Sequence, residues 1–491
     1  MRTSARAWTA LGFLVSGYLA LAVEAGVPRS PLTVPTPGGA QPPAWAGSLA
    51  GDVGLDRLGR DWLIGLAWIL VPAVLVAFAV LLVEAWSRRV GLGPVLAAAG
   101  ASLGISIVAP LLLSRDVYTY AAYGRVEALY HRNPYVVPLS SFPHDPFVAL
   151  TPGQWLHGHS HYGPLFTLLS SAIVRSVAST GGTIVAFKLL AGLAIGAATA
   201  LTALAAVQIR PERAPLAAAL VGLNPVLVVH TVGGAHVDAL IAAPLAAALA
   251  IAVTRTRPEP AGTLAVTVLL AAACLLKPVI VPALALWLWS LARTGRLRAL
   301  AVHAATIAAM AVASATPYLA GWKTLRPFAT LGGVEAWASP SQLVGRAARA
   351  AAGAHAGEAV EVAFLVLFLI VAARLGRRCS PADAWGVSLL LLVLSMPYVL
   401  PWYAAWFAPF LGLLTEDTML IAGALISCVL ALTLIPADPF HGLTTPAVMD
   451  GVHYGAASVL LAVLLVLLTK ILGNERRAPA QLSTARAAPP R

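Results

Sequence analysis

Long apolar runs fill the chain, and short basic or Gly/Pro-rich segments separate them, which is the pattern of successive membrane spans. The first run, residues 8–23, follows Met1–Arg6 and has the outline of a signal peptide. The residues after it, Ala25-Gly26-Val27-Pro28, make a poor cleavage site and many runs follow, so it reads as a retained first span. Basic clusters punctuate the runs at Arg2/Arg6, Arg88/Arg89, Arg210/Arg213, Arg255/Arg257, Arg293/Arg296/Arg298, Arg374/Arg377/Arg378 and Lys470/Arg476/Arg477. Taken as cytoplasmic anchors, they leave pairs of runs between them, such as 214–230 with 239–253 and 262–276 with 279–291. Each pair goes out and comes back, which predicts an all-α polytopic bundle of about fourteen transmembrane helices with both ends inside.

One segment breaks the count. Residues 164–177 are apolar and helical in pattern but contain Arg175, and they fall short of the roughly twenty residues a span needs. Counting them as a span would invert everything downstream, so they read as an interfacial or half-buried helix in an outer loop.

Composition agrees with this class. Hydrophobic residues make up 59% of the 491, charged ones 11%, and mean hydropathy is +0.83, more apolar surface than a soluble core of this length needs. A net charge of +12 invites a nucleic-acid partner. The Lys and Arg residues instead sit at the ends of apolar runs, with no dense patch and no interleaved aromatics. The expected partner is the lipid bilayer, with no nucleic acid. Cys274, Cys379 and Cys428 match no zinc or CxxC spacing, so neither a disulfide framework nor a cysteine metal site is expected.

Four segments fall on the outer side. Residues 26–60 are Pro- and Gly-rich and read as an irregular cap. Residues 114–183 are long, aromatic and His-rich, and long loops usually carry function. Residues 318–357 carry Trp322, Lys323, Arg326, Trp337, Arg346 and Arg349, and residues 438–453 carry two Asp and two His. The tail from 474 to 491 is Pro/Ala/Arg-rich and reads as a disordered cytoplasmic extension, leaving 1–473 as one transmembrane domain.

The densest candidate chemistry is Ser114-Arg115-Asp116-Val117-Tyr118-Thr119-Tyr120, just after the third span. A carboxylate at the membrane surface gains basicity by desolvation, which suits a general base for a sugar hydroxyl. Asp116 is equally an ordinary helix-start residue. Next come His131-Arg132-Asn133-Pro134-Tyr135, His144-Asp145-Pro146-Phe147, and His157, His159 and His161 before Tyr162-Gly163-Pro164. Three His at alternate positions would share one side of a strand and suggest a metal, but no carboxylate accompanies them. A sugar pocket or a solvated loop fits that run better, and no metal or other cofactor is expected. Asn224-Pro225, His230 and Gly233-Gly234-Ala235-His236-Val237-Asp238 lie at the outer turn between two spans, where polar groups are costly. For Asp238 the alternatives are a substrate contact and a helix cap. Lys277-Pro278 places a lone Lys between two apolar runs, either as a phosphate ligand or snorkelling to the interface. Tyr398, Trp402, Tyr403 and Trp406 suit sugar stacking or an interfacial aromatic belt.

The string Asp116-Val117-Tyr118-Thr119-Tyr120-Ala121-Ala122-Tyr123-Gly124, followed by Asn133-Pro134-Tyr135, resembles the polyprenol-phosphomannose-dependent α-1,6-mannopyranosyltransferases of actinobacteria, members of the GT-C superfamily. So do Tyr162-Gly163-Pro164-Leu165, Asn224-Pro225, Gly233-Gly234-Ala235-His236-x-Asp238 and Lys277-Pro278, in matching order over about residues 60–470. The resemblance implies a site between outer loops and membrane, a polyprenyl-phosphate-mannose donor and a mannan or lipomannan acceptor. It also implies that Asp116 is the base. The family commonly has Asn between the His and Asp of the Gly-Gly-x-His motif, where this chain has Val237, which removes a possible amide contact. Tyr118, Tyr120, Arg125, Arg132, Asn133, Tyr135, His161, Tyr162, His236, Asp238, Lys277, Arg326 and Trp402 are the expected substrate-binding residues.

A β-linked phosphomannose that becomes an α-linkage inverts at the anomeric carbon, so one in-line displacement suffices. Lys277, Arg125, Arg132 and Arg326 are the cations expected to stabilise the leaving phosphate. The competing readings are a transferase of another lipid-linked sugar such as arabinofuranose, and a multi-span transporter. A transporter would show repeated halves and mid-membrane charge, and no internal repeat is visible here. The expected location is the plasma membrane, with the site facing outside.

Overall fold

The computed structural model describes residues 3–33, 43–254, 259–295, 297–329, 338–433 and 446–473. Arg2, Arg255, Arg257, Arg296, Trp337, Asp438, Arg476, Arg477 and the 474–491 tail lie outside the described residues, as do the side chains of Arg326 and His453. Among the described residues the chain forms 21 α-helices and no strand. It opens with α1 (Ala5–Glu24), α2 (Ala44–Asp52), α3 (Arg60–Trp86) and α4 (Leu92–Val108). Four short helices follow: α5 (Asp116–Ala128), α6 (Pro146–Leu150), α7 (Gly153–Leu156) and α8 (Pro164–Ser176). The bundle resumes with α9 (Thr180–Ile209), α10 (Ala214–Gly222) and a π-helical segment, Val226–Val232. Then come α11 (Asp238–Thr254), α12 (Pro260–Leu276), α13 (Val281–Ala292) and α14 (Leu297–Ala315). The last part holds α15 (Trp322–Ala329), α16 (Pro340–Ala352), α17 (Ala354–Arg378) and α18 (Pro381–Ser395). It ends with α19 (Ala404–Leu411), α20 (Asp417–Leu432) and α21 (Pro446–Gly473).

Seven of these helical stretches are long and apolar enough to cross a bilayer, and six more are apolar but only 10–17 residues long. With α19, eight residues and wholly buried, they account for the fourteen apolar runs. The molecule is an all-α polytopic membrane protein. The segment that broke the count is α8, which packs on α5 rather than spanning. Gly124 makes that packing possible, since a Cβ there would sit 2.4–2.8 Å from atoms of Ser170. The Ser170 hydroxyl donates to the Tyr120 carbonyl at 2.6 Å across the same contact.

Contacts between distant segments bring the basic anchors to one end. Ser4 joins Glu84 and the Arg89 carbonyl. Arg213 stacks on Trp86, pairs with Asp417 at 2.7 Å, and with Arg210 donates to the Leu414 carbonyl. Asp383 accepts from the Thr415 amide, and Arg293 donates to the Arg377 carbonyl.

The opposite end gathers the loops. Leu113 N donates to the Leu32 carbonyl, Leu112 N to Gly233, Gly163 N to Leu276, and the Asn133 amide to Tyr318. The 17 residues of α11 rise about 25 Å, and Asp238 opens the helix at this end. α19 is led by a 3-10 turn, Pro401–Tyr403, which carries Trp402.

Candidate active site

Asp116 opens α5, one residue after its N-cap, Arg115. Its amide is bound by the Ser114 hydroxyl at 3.2 Å. The carboxylate thus lies in the first turn of α5, where a negative charge suits the helix start. From Leu112 to Gly124 every residue is buried except Asp116, whose side chain is 19% exposed. The turn into α5 is fixed from two sides. Leu113 adopts a left-handed conformation (φ 60°), a costly state for a branched side chain that surrounding bonds must hold. Lys188, buried in the middle of α9, donates to the carbonyls of Ala109 and Pro110 at 2.5 and 2.9 Å and closes the end of α4. A lone Lys inside an apolar run is a signal that the sequence carries openly.

His236 approaches Asp116 from the turn between the π-helical segment and α11. Ala235 before it is also left-handed (φ 57°). A Cβ on Gly234 would meet the imidazole at 2.8–2.9 Å, so glycine there makes room for the ring. The ring stacks on Trp402, centroids 3.5 Å apart and planes 16° from parallel. Its Nδ1 lies 3.2 Å from the Tyr120 hydroxyl and 3.7 Å from Asp116 Oδ2, while Nε2 is buried with no hydrogen-bond partner among the described residues. Burial, with the Lys277 charge adding, holds His236 well below the ordinary imidazole value, so it is neutral at physiological pH. A neutral imidazole has one donor nitrogen and one acceptor nitrogen. Nδ1 is the nitrogen that meets the Tyr120 hydroxyl, with the Asp116 carboxylate just beyond hydrogen-bond reach.

Below this pair lies a buried ion pair. Lys277 Nζ donates to Asp238 Oδ1 at 2.9 Å, and Trp406 Nε1 donates to the same oxygen at 2.6 Å. The ammonium also faces the rings of Tyr403 (4.8 Å) and Trp406 (5.2 Å), which stack on each other. Asp238 is wholly buried and Lys277 is 15% exposed. Asp238 is thus an ion-pair partner, not a helix cap, and Lys277 is turned inward rather than snorkelling.

Tyr162 and His161 form the side wall. Tyr162 meets Tyr120 edge-on at 5.1 Å, and His161 lies between Trp155 and Tyr162. Burial, and then the nearby Lys277 charge, lower His161 to about 4. The explanation for Tyr162-Gly163-Pro164 lies here: a Cβ on Gly163 would fall 1.9 Å from the Leu275 carbonyl oxygen. Only glycine lets this loop bind the end of α12, next to Lys277.

Other expected site residues do different things. Arg125 is paired with Asp145 at 2.7 Å, and Asp145 also caps α6 and accepts from Tyr130. Asn133 bridges the Tyr318 carbonyl and the Tyr135 amide, and the buried Tyr135 hydroxyl binds Tyr162 O and Thr167. Tyr118 is buried, and Arg132 is exposed at the end of the loop. Arg326 lies in α15. The segment with His157 and His159 is irregular rather than a strand, and among the described residues no group of three His, Cys, Asp or Glu gathers around a possible metal position. One cation in the candidate string carries no role from sequence alone: Arg115, buried beside Asp116 at the end opposite the anchors. A positive charge there runs against the positive-inside pattern, and that was its signal.

Residues 40–293 match the family described as alpha-(1->6)-mannopyranosyltransferase, N-terminal domain, and residues 330–467 match MptB C-terminal domain. No curated protein and no solved structure matches the chain. The first match covers more than half of the chain and holds Asp116, His161, Tyr162, His236, Asp238 and Lys277, while Trp402, Tyr403 and Trp406 fall in the second. With both halves of the site inside these matches, the chain belongs to the alpha-(1->6)-mannopyranosyltransferase family.

Proposed function

We propose that this mannosyltransferase takes mannose from polyprenyl-phosphate-mannose and passes it, with inversion, to the 6-hydroxyl of an α-1,6-mannan or lipomannan acceptor. It would do so on the outer face of the plasma membrane as a GT-C-type enzyme in one transmembrane domain, with 114–183 and 318–357 as its outer loops. The observation that carries the reading is the accessibility of Asp116. Asp145 and Asp238 are wholly buried, whereas the Asp116 carboxylate keeps contact with the outside in an otherwise buried stretch.

In this reading Asp116 takes the proton of the acceptor 6-hydroxyl as that oxygen bonds to the anomeric carbon. The bond from that carbon to the phosphate oxygen breaks, and the polyprenyl phosphate leaves as an anion. His236 lies beside Asp116 at Nδ1, and its Nε2 receives a sugar hydroxyl. Arg115 joins Arg132 and Arg326 as a cation for the leaving phosphate, because it lies next to the base. Lys277 and Asp238 act together as the charged floor under the aromatic groups. Tyr120, Tyr162, His161 and Trp402 supply the walls for the sugar.

The test is transfer from radiolabelled polyprenyl-phosphate-mannose to a short α-1,6-mannoside in membranes, wild type against Asp116→Asn. Transfer by the wild type and none by a normally accumulating variant is expected. Transfer that survives the substitution moves the base elsewhere. A wild type inactive with this donor but active with polyprenyl-phosphate-arabinose overturns the choice of sugar.

A further inference from the structure

At the anchor end, far from Asp116, the ends of α13 and α17 and the start of α18 enclose a cavity of about 380 Å³. Its floor is apolar: Leu286, Trp287, Ala384 and Trp385, all buried. Its rim carries Arg293, Arg377 and Arg378, and no Asp or Glu lines it. The arginines are held in place on one side. Arg293 donates to the Arg377 carbonyl at 3.0 Å, and the Arg377 guanidinium lies 5.2 Å over the ring of Trp289. Gly376 allows the two helices to close on each other, since a Cβ there would come 2.6 Å from Leu286.

A second cavity, about 500 Å³, lies on the other side of the α17–α18 turn and shares Arg378 and Cys379. It is lined by Asp383 and Glu416 as well as Arg374, so its charge is mixed. Charge alone therefore separates the two: the first suits an anion and the second does not.

We propose that the first cavity is a binding site for the head group of an anionic phospholipid, separate from the sugar-transfer site. The charge of three guanidiniums over an apolar floor, at the basic end of the bundle, suits an anionic head group, and the floor suits the glycerol and upper acyl chain. A free phosphate would gain nothing from the Trp287 and Trp385 floor, and that floor is the reason for choosing a lipid. Positive-inside anchoring alone asks only for charge near the surface and needs no cavity.

The test is native mass spectrometry of the purified full chain, supplied with equal amounts of phosphatidylglycerol and phosphatidylcholine. The wild type is expected to retain one phosphatidylglycerol in preference, and 10-fold excess inorganic phosphate, roughly, should not displace it. Neutralising each arginine in Arg293→Gln/Arg377→Gln/Arg378→Gln should weaken retention about fivefold. The control Arg6→Gln/Arg88→Gln/Arg89→Gln removes as much charge at the same end and should leave retention unchanged. Ser290→Trp fills the cavity with every arginine kept and should also lose the lipid, so it carries the test if the triple variant does not accumulate. Equal loss in the control, full retention in Ser290→Trp, or displacement by inorganic phosphate would each overturn the proposal.

Discussion

The ion pair between Lys277 and Asp238 makes the sharpest prediction, because the two partners are unequally buried. Asp238 has no exposure, and Oδ1 takes both Lys277 and Trp406. Lys277→Met keeps the length of the side chain and removes its charge. The carboxylate is then left buried with one neutral donor, a change that costs about 3–5 kcal/mol when a buried pair is broken from one side. Asp238→Asn is milder. Lys277 keeps some access to water and stays over two aromatic rings, contacts worth roughly 0.5–2 kcal/mol. The double variant removes both charges and should lie closer to the wild type than Lys277→Met does, with a coupling of about 2–3 kcal/mol. Unfolding by SDS titration in mixed micelles measures all four corners of the cycle. Transfer measured on the same samples separates two roles. If Lys277 serves the site through Asp238, the double variant regains activity along with stability; a direct phosphate ligand would leave it inactive. A Lys277→Met protein as stable as the wild type, or a double variant no better than Lys277→Met, refutes this account.

Three further predictions come from neighbouring contacts. His236→Phe preserves a ring on Trp402 but removes the nitrogen facing Asp116, so transfer should fall about 100-fold with little change in stability, and a loss under twofold would remove His236 from the mechanism. Gly163→Ala drives a methyl into the Leu275 carbonyl, so it should cost about 1–3 kcal/mol of stability and lower transfer, and a silent substitution would contradict the backbone approach. His161, held at about 4 against 6.5, binds fewer protons folded than unfolded between those values. Stability should therefore fall as pH drops from about 6.5 toward 4, by at most about 3 kcal/mol. His161→Phe should flatten that slope in thermal unfolding across the same range, and an unchanged slope would clear His161 as its source.

The spans and their order were legible in the sequence because lipid imposes one rule on all of them: apolar length between basic ends. The rule was strong enough to set α8 aside, since Arg175 and its short length both violate it. Positions of chemistry were legible as well, because a polar residue next to a span end is conspicuous. Roles were not. Asp238 is 39 residues from Lys277 and 168 from Trp406, so no local pattern distinguishes an ion-pair partner from a helix cap. Arg125 looked like a phosphate ligand until the fold paired it with Asp145. Lys188 passed unremarked for the opposite reason: it breaks the charge rule by itself, with no motif around it, while Arg115 stood in the candidate string beside an acid that drew the attention.

The same distance that hid the roles explains how the site is built. Most of it comes from turns at the far ends of helices, 109–116 after α4, 233–238 before α11, 276–278 after α12 and 396–403 before α19, with the loop before α8 adding the side wall. A turn between two spans is short and has little freedom, so its outward residues are placed by helix packing rather than by a loop's own preferences. The cross-links run from turn to turn, Leu112 to Gly233, Gly163 to Leu276, Asp116 to His236, Asp238 to Lys277 and Trp406. Trp402, in the turn before α19, supports the His236 ring by stacking on it. A carboxylate held this way is fixed by packing on several sides at once while 19% of its side chain stays open.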